Sequence, residues 1–323
     1  MNKPALLMTG ALLALGGHTA VNAQAFPTKP IRFVVPFAPG GGTDFLARLI
    51  APRLSDSLGQ FVIVDNRPGA GGVIGAELVA KAPADGYTIL LGSPGSMSIS
   101  PHLLSKIPYN SLRDFKPIAL ATASPFALTA NPAVPVKSVK DLIALAKARP
   151  GTLNFGTAGS GATGHIAGEQ FKLLAGVNIV HVPFKGSAAA TTAAISGEIQ
   201  LTFENLPVAL PHARSGKLKI LGIGSVERSP LAPEFPTIRE AGVPGYEAVT
   251  AFGVLAPGKT PQGVAQRLNQ GIAKIMHNPE VRDVLASRGM RSIGSTPEQY
   301  AQFLRREFDK YGEIIRKAGI KLD

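Results

Sequence analysis

Cysteine and tryptophan are both missing from the 323 residues, aromatic side chains make up only 6% of them and charged ones only 17%. Without cysteine there is no disulfide, no thiolate nucleophile or metal ligand, and no thiol for a lipid anchor, so stability must come from core burial. The six histidines (His18, His102, His165, His181, His212 and His277) show no paired ligand spacing, and neither a metal nor a cofactor is expected. Basic residues are scattered rather than interleaved with aromatics, which argues against nucleic acid as a partner. The net charge of +12 therefore gives a diffuse field that draws anionic solutes. No G-x-S-x-G elbow exists, since Ala158 and Ala162 flank Ser160. No apolar run is long enough to span a bilayer, which takes about 20 residues.

What is present begins with a leader-like segment. Lys3 precedes an apolar stretch from Ala5 to Leu15, and Val21-x-Ala23 has the small residues of a cleavage site. Residues 1–23 read as a secretory signal peptide, cleaved near Ala23, which places the mature chain in the periplasm. The remainder is long enough for two ordinary domains.

Val34 to Arg48 (VVPFAPGGGTDFLAR) reads as strand, glycine turn and helix. Gly40 and Gly41 let the backbone turn, and the first N–H groups of the next helix lack internal partners, so helix dipole and free donors together attract an anion. Asp44, ahead of apolar residues at helical spacing, is the expected N-cap. Phe61 to Asp65 and Tyr87 to Leu91 read as further strands separated by a small-residue helix, Val73 to Lys81. Such alternation marks βαβ units and a mainly parallel sheet.

The second half repeats this grammar. Leu153 to Phe155 enters a glycine turn, Gly156 to Gly164, then a helix from His165 to Leu174; Ile179 to Val182 and Ile199 to Phe203 are strands. Two similar lobes follow, 24–123 plus 249–323 and 124–248, with crossovers near Pro125 to Lys137 and Pro244 to Thr250. Ser138 should cap a helix in the second lobe. Pro261 to Met276, Val281 to Ser287 and Pro297 to Lys317 read as helices, the last capped by Thr296 and packed back on the first lobe.

Gly159-Ser160-Gly161-Ala162-Thr163-Gly164 formally fits a dinucleotide fingerprint, but the next strand ends in His181-Val182-Pro183 with no acidic residue for a ribose. Ser93 and Ser96 bring hydroxyls to the edge of the first glycine turn, and Thr157, Ser160 and Thr163 bring them from the second lobe. Neutral donors of this kind suit reversible capture of a carboxylate. Lys185 adds a cation and Ser187 a hydroxyl, and Glu204 either hydrogen-bonds a polar ligand or braces its strand.

PFAPGGGTDFLAR, VDNRPGAGGVIGAELVAKAPADGYTILLG, NFGTAGSGATGHIAGEQF, VPFKGSAAA, LTFENLP and FGVLAPGKTP, in this order and spacing, resemble the extracytoplasmic solute receptors of the tripartite tricarboxylate transporter family, the Bug-type proteins. The resemblance implies an α/β, two-lobed periplasmic binding protein of the Venus-flytrap, type II-like kind, with a central mainly parallel sheet in each lobe. It implies a small carboxylated solute held between the lobes and delivered to membrane permease subunits, without catalysis. One ligand carboxylate would be held by the two turns, here Phe37, Ala38, Gly40, Gly41, Thr43 and Asp44 opposite Thr157, Ala158, Gly159, Ser160, Ala162 and Thr163. Two positions depart from the family pattern: Ala162 stands where serine is common, and Ala193 where an acid is common. Both point to a less polar pocket and to a ligand with an apolar or aromatic body.

Two other readings stay open at this stage. A ligand sensor feeding a membrane histidine kinase would use the same fold and differ only in partner. A hydrolase would need a nucleophile or base, for which only His165 and Asp44 stand in suggestive places.

Overall fold

A computed structural model describes residues 26–321, so the expected signal peptide lies outside the described residues. The chain opens with β1 (Ile31–Val35), α1 (Gly42–Leu58), β2 (Val62–Asn66), a tight turn at Ala70–Gly72, α2 (Val73–Ala80) and β3 (Thr88–Gly92). A π-helical turn, Gly95–Ile99, runs into the short α3 (Ser100–Leu103), and β4 (Phe115–Ala130) then crosses the whole molecule. Beyond it lie α4 (Val139–Ala148), β5 (Asn154–Thr157), α5 (Thr163–Ala175), β6 (Val180–Pro183), α6 (Ser187–Ser196), β7 (Leu201–Asn205), α7 (Leu206–Arg214) and β8 (Lys219–Ile223). The chain returns along β9 (Val249–Pro257) and ends in α8 (Gln262–Met276), α9 (Pro279–Ser287), β10 (Arg291–Ser292) and α10 (Pro297–Ala318).

The strand order is β2-β1-β3-β9-β4-β7-β5-β6, with β8 and β10 also paired to β4. β1 pairs in parallel with β2 and β3, and β5 with β6 and β7. Every ladder that includes β4 or β9 is antiparallel. The two-lobed α/β class therefore holds, with parallel pairing in the outer part of each lobe and antiparallel pairing where the crossover strands pass. Pro125 does not break the chain as its residue type suggested. It pairs with Val249 on β9, and the next residue, Phe126, pairs with Asn205 on β7. A residue without an N–H stands where the strand leaves one ladder for the other, the position at which a missing donor costs least.

Each lobe has its own core. Phe33, Leu46, Ile50, Leu54, Leu91, Leu268 and Ile272 fill the first; Leu128, Phe155, Phe171, Leu201, Phe203 and Tyr246 fill the second. Fully burying such a side chain contributes about 1.5–3 kcal/mol, the main stabilising term in a chain without disulfides. Ser138 caps α4 by accepting from the Asp141 N–H, and Thr296 and Gln299 form a capping box on α10, both as expected. α10 departs from expectation in reach: Tyr311, Ile314 and Ile315 pack against Ile99 and also against Ile166 of α5, so it touches both lobes. Among the described residues no helix is long and apolar enough to cross a membrane, and no group of three or more His, Asp or Glu is placed to hold a metal ion.

Candidate functional site

The first turn leaves β1 at Val35 and enters α1 through Gly40, whose φ of +88° is open to glycine at little cost. The N-cap is Gly41, in an extended conformation and with no side chain to offer, so the leading N–H groups of α1 have no side-chain acceptor. Asp44 is not the cap. It sits three residues past the cap and reaches backward, accepting from Arg48 Nε at 3.0 Å, Gly40 N–H at 2.9 Å and Asn66 Nδ2 at 3.0 Å. Arg48 first, then Gly40, hold its carboxyl down to about 2, and the group clasps the turn from behind.

The second turn repeats the device. α5 starts after Ala162, again an extended N-cap without a side-chain hydrogen bond. Side chains cap α4, α9 and α10, supplied by Ser138, Asn278 and Thr296, whereas α2, α6, α7 and α8 lack a side-chain cap as α1 and α5 do, so the missing cap alone does not set these two helices apart. Capping matters because an unmet N–H at a helix start is a donor looking for an oxygen, worth about 1 kcal/mol when a side chain supplies it. At α1 and α5 no side chain supplies that oxygen.

Behind the second turn lie two stacked imidazoles, His165 and His181, with centroids 3.7 Å apart and planes 11° from parallel. Gly161 N–H donates to His165 Nδ1 at 3.1 Å, and Thr157 Oγ1 bonds His181 Nε2 at 2.7 Å. Burial pulls the pair down to about 4 and about 3 respectively, with Lys172 adding to both and His165 to His181. Both rings are neutral near pH 7, so the 3.9 Å approach of His165 to Glu169 is no ion pair; Glu169 is paired with Lys172 at 2.8 Å. His165 thus supports the turn with the nitrogen a general base would need.

Between the lobes opens a cleft of about 600 Å³. Of the expected residues it is lined by Phe37, Thr43, Ser93, Ala158, Gly159, Ser160, Ala162, Thr163 and Glu204. Seven others stand elsewhere. Ala38, Gly40 and Gly41 are exposed on the turn without lining the cleft; Asp44 is buried behind it, and Thr157 is held by His181. Ser96 is fully buried beneath Ser93, their hydroxyls 3.3 Å apart, with Tyr109 donating to its carbonyl. Lys185 is exposed and contributes no cation to the lining, because its turn directs a long solvated side chain outward. Ala193 also lies away from the cleft, packed with Ala194, Ile199 and Leu218, so its lack of charge does not bear on pocket polarity.

Several lining residues carried no signal as such in the sequence. Phe126, Phe203, Phe252, Ile99, Leu103 and Leu104 form apolar walls, and Thr250 and Asn205 add polar groups. They come from the central strands and the π-helical turn, where apolar residues read as ordinary core. The crossover positions of Phe126 and Phe252 are the one clue, since strands passing between lobes must pass the space between them. Glu204, at the end of β7, is 4% exposed and is, among the described residues, the only charged side chain in the lining. Ser187 Oγ donates to one of its oxygens at 2.5 Å and Asn205 N–H to the other at 2.8 Å. Burial pushes its carboxyl up, against the pull of these two donors.

A family model described as the tripartite tricarboxylate transporter family receptor matches residues 46–320. Protein BugT of Bordetella pertussis (strain Tohama I) is 39% identical over 325 residues, covering 100% of both chains. Two solved structures share the fold and much sequence. The Rhodopseudomonas palustris protein Rpa4515 with adipate is 38% identical with a TM-score of 0.77, covering 92% of this chain and 99% of its own. MatC (Rpa3494) of the same species, with bound malate, is 32% identical with a TM-score of 0.74, covering 90% and 100%.

Proposed function

The chain belongs to the tripartite tricarboxylate transporter receptor family, and from that premise we propose that it is a periplasmic receptor for a small carboxylate with an apolar or aromatic body. It captures the solute between lobes 24–123 plus 249–323 and 124–248, and hands it to the membrane permease subunits of a tripartite transporter. The observation that carries the reading is the pairing of α1 and α5, whose uncapped N-termini open on one cleft from opposite lobes. Two half-dipoles and their free N–H groups form a neutral anion cradle, which binds without the desolvation cost of a buried cation. Thr43, Ser160 and Thr163 supply hydroxyls beside it. The phenylalanine walls supply contact for an apolar body. The adipate and malate of the two related structures support the small-carboxylate part of this reading.

A thermal-shift screen of refolded protein tests this against mono-, di- and tricarboxylates, aromatic acids, amino acids and neutral amides. Ligand at 100 times Kd stabilises by about 2.7 kcal/mol, a shift of several degrees. A dose-dependent shift from acids with apolar bodies is expected. No shift from any acid, or turnover of one by the pure protein, would sink the reading.

A further inference from the structure

Glu204 is an odd residue to find in a cleft built for an anion. No lysine, arginine or histidine lines the cleft, so nothing there offsets its charge or would pair with a second carboxylate on the ligand. Its surroundings are set for acceptance rather than donation: Ser187 Oγ–H and Asn205 N–H each give a hydrogen to one carboxyl oxygen, fixing both oxygens in place. Each oxygen keeps a second lone pair. Beside it the Asn205 Oδ1 is buried with no partner at all, which is unusual for a polar atom in a folded protein. An acceptor with unused capacity, Glu204, therefore stands in the lining with Phe126, Phe203 and Phe252, and a second unmet acceptor lies buried one residue on.

We infer that Glu204 determines which acids this cleft accepts, selecting carboxylates that carry a hydrogen-bond donor (an ammonium, hydroxyl or amide N–H) at the end remote from the glycine turns, and rejecting those that carry a second ionised carboxylate there. The inference rests on the receptor reading and narrows its ligand class. A donor would meet the open lone pairs of Glu204, with the partnerless Asn205 Oδ1 buried behind it, and an ammonium would also neutralise the buried charge. A second carboxylate would face Glu204 in a site with no cation among the described residues to separate them, and like charges so placed oppose binding.

The test uses matched acids that differ only at the far end: hexanoate, 6-aminohexanoate and adipate, and benzoate, 4-hydroxybenzoate and terephthalate. Their Kd values are measured by calorimetry at neutral pH on the wild-type protein and on Glu204→Gln. In at least one set the donor-ended acid should bind at least about tenfold more tightly than its dicarboxylate, a ratio equal to about 1.4 kcal/mol. Glutamine keeps the shape, removes the charge and offers a donor of its own, so the variant should lose that ratio by gaining affinity for the dicarboxylate. Preference for the dicarboxylate in both sets on wild type overturns the inference and leaves the receptor reading standing. An unchanged ratio in Glu204→Gln overturns it too. If none of the six acids binds, the receptor reading fails for acids of this size and the inference falls with it. The wild-type comparison decides even if the variant does not fold.

Discussion

Thr43 and Asp44 are adjacent in sequence and opposite in role. Thr43 lines the cleft, and its hydroxyl makes no hydrogen bond among the described residues, whereas Asp44 is fully engaged by Arg48, Gly40 and Asn66. Thr43→Val should leave the melting temperature nearly unchanged and weaken solute affinity about fivefold to tenfold, the worth of one net hydrogen bond. Asp44→Ala should behave in the opposite sense at first reading: it strips three donors of one buried acceptor and should cost about 1–3 kcal/mol of stability, seen as a lower midpoint in denaturant titration. A Thr43→Val protein that melts early but binds normally would reverse these assignments. The His165–His181 stack gives a pH dependence of definite sign. Both folded-state pKa values lie below the usual 6.5, so at mildly acid pH the unfolded chain binds more protons than the native one. Stability is complete above about 6.5 and is lost as pH falls from there toward 4 and then 3. Asp44, held near 2, adds its own loss only below its ordinary 3.8. Melting curves across that window should slope for wild type and flatten for the His165→Asn, His181→Asn double variant.

At the scale of elements, the position of α5 depends on how closely it approaches β7. A Cβ on Gly164 would stand 2.6 Å from the Phe203 carbonyl oxygen and 3.3 Å from the Phe126 ring, both parts of the cleft wall. Gly164→Ala should therefore push the α5 N-terminus away from the cleft, costing about 1–3 kcal/mol as overpacking does and weakening binding by more than its loss of stability alone explains. Calorimetry well below the variant's melting point separates the two effects. Normal affinity would mean that the helix start does not hold the solute. The same element shows what a sequence can and cannot declare. Strand, glycine turn and helix were legible at both turns because glycine clusters and apolar periodicity are local. So were the Ser138 and Thr296 caps. The cap of α1 was not legible: an Asp after glycines is the usual cap, yet the helix here begins three residues earlier, capped at Gly41, and uses the carboxylate as a clasp. The apolar walls were hidden for another reason, since Phe126, Phe203 and Phe252 lie on strands where burial in a core and exposure to a cleft leave the same pattern. Nor could local pattern reveal the stacking of His165 on His181, which depends on the parallel register of β5 and β6. Charge was the poorest guide: Lys185 looked like a ligand cation and points to solvent, while the one charged group in the cleft is an acid.

Across the whole molecule, the receptor reading expects the two lobes to move on capture, and the connections restrict how. β4 passes between them at Pro125-Phe126, and β9 begins beside it at Val249, where Phe126 N–H donates to Ala248 O and Ala248 N–H to Gly224 O. Both passages are hydrogen-bonded, so the closure expected is a rotation about this short stretch rather than a loosening of either sheet. α10 crosses the joint on the other side. Its Ile314 and Tyr311 share one apolar cluster with Ile99, which lines the cleft, and with Ile166 of α5, and its Lys310 donates to the Glu247 carbonyl at the second passage. A helix so placed can set the angle at which the unliganded lobes rest, because any rotation must slide Ile166 across it. Small-angle scattering should show the radius of gyration falling when the acid with the largest thermal shift is added to saturation, and staying constant with an acid that gives none. Ile314→Ala, which removes the cluster's contact at the joint, should cost about 2–5 kcal/mol of stability as buried isoleucine truncations do. It should also enlarge the unliganded radius while leaving the liganded one unchanged, since the bound solute then holds the lobes in place of the helix. Saturable binding with superimposable scattering curves would mean that the cleft is already in its binding geometry, and that α10 braces the fold without setting the lobe angle.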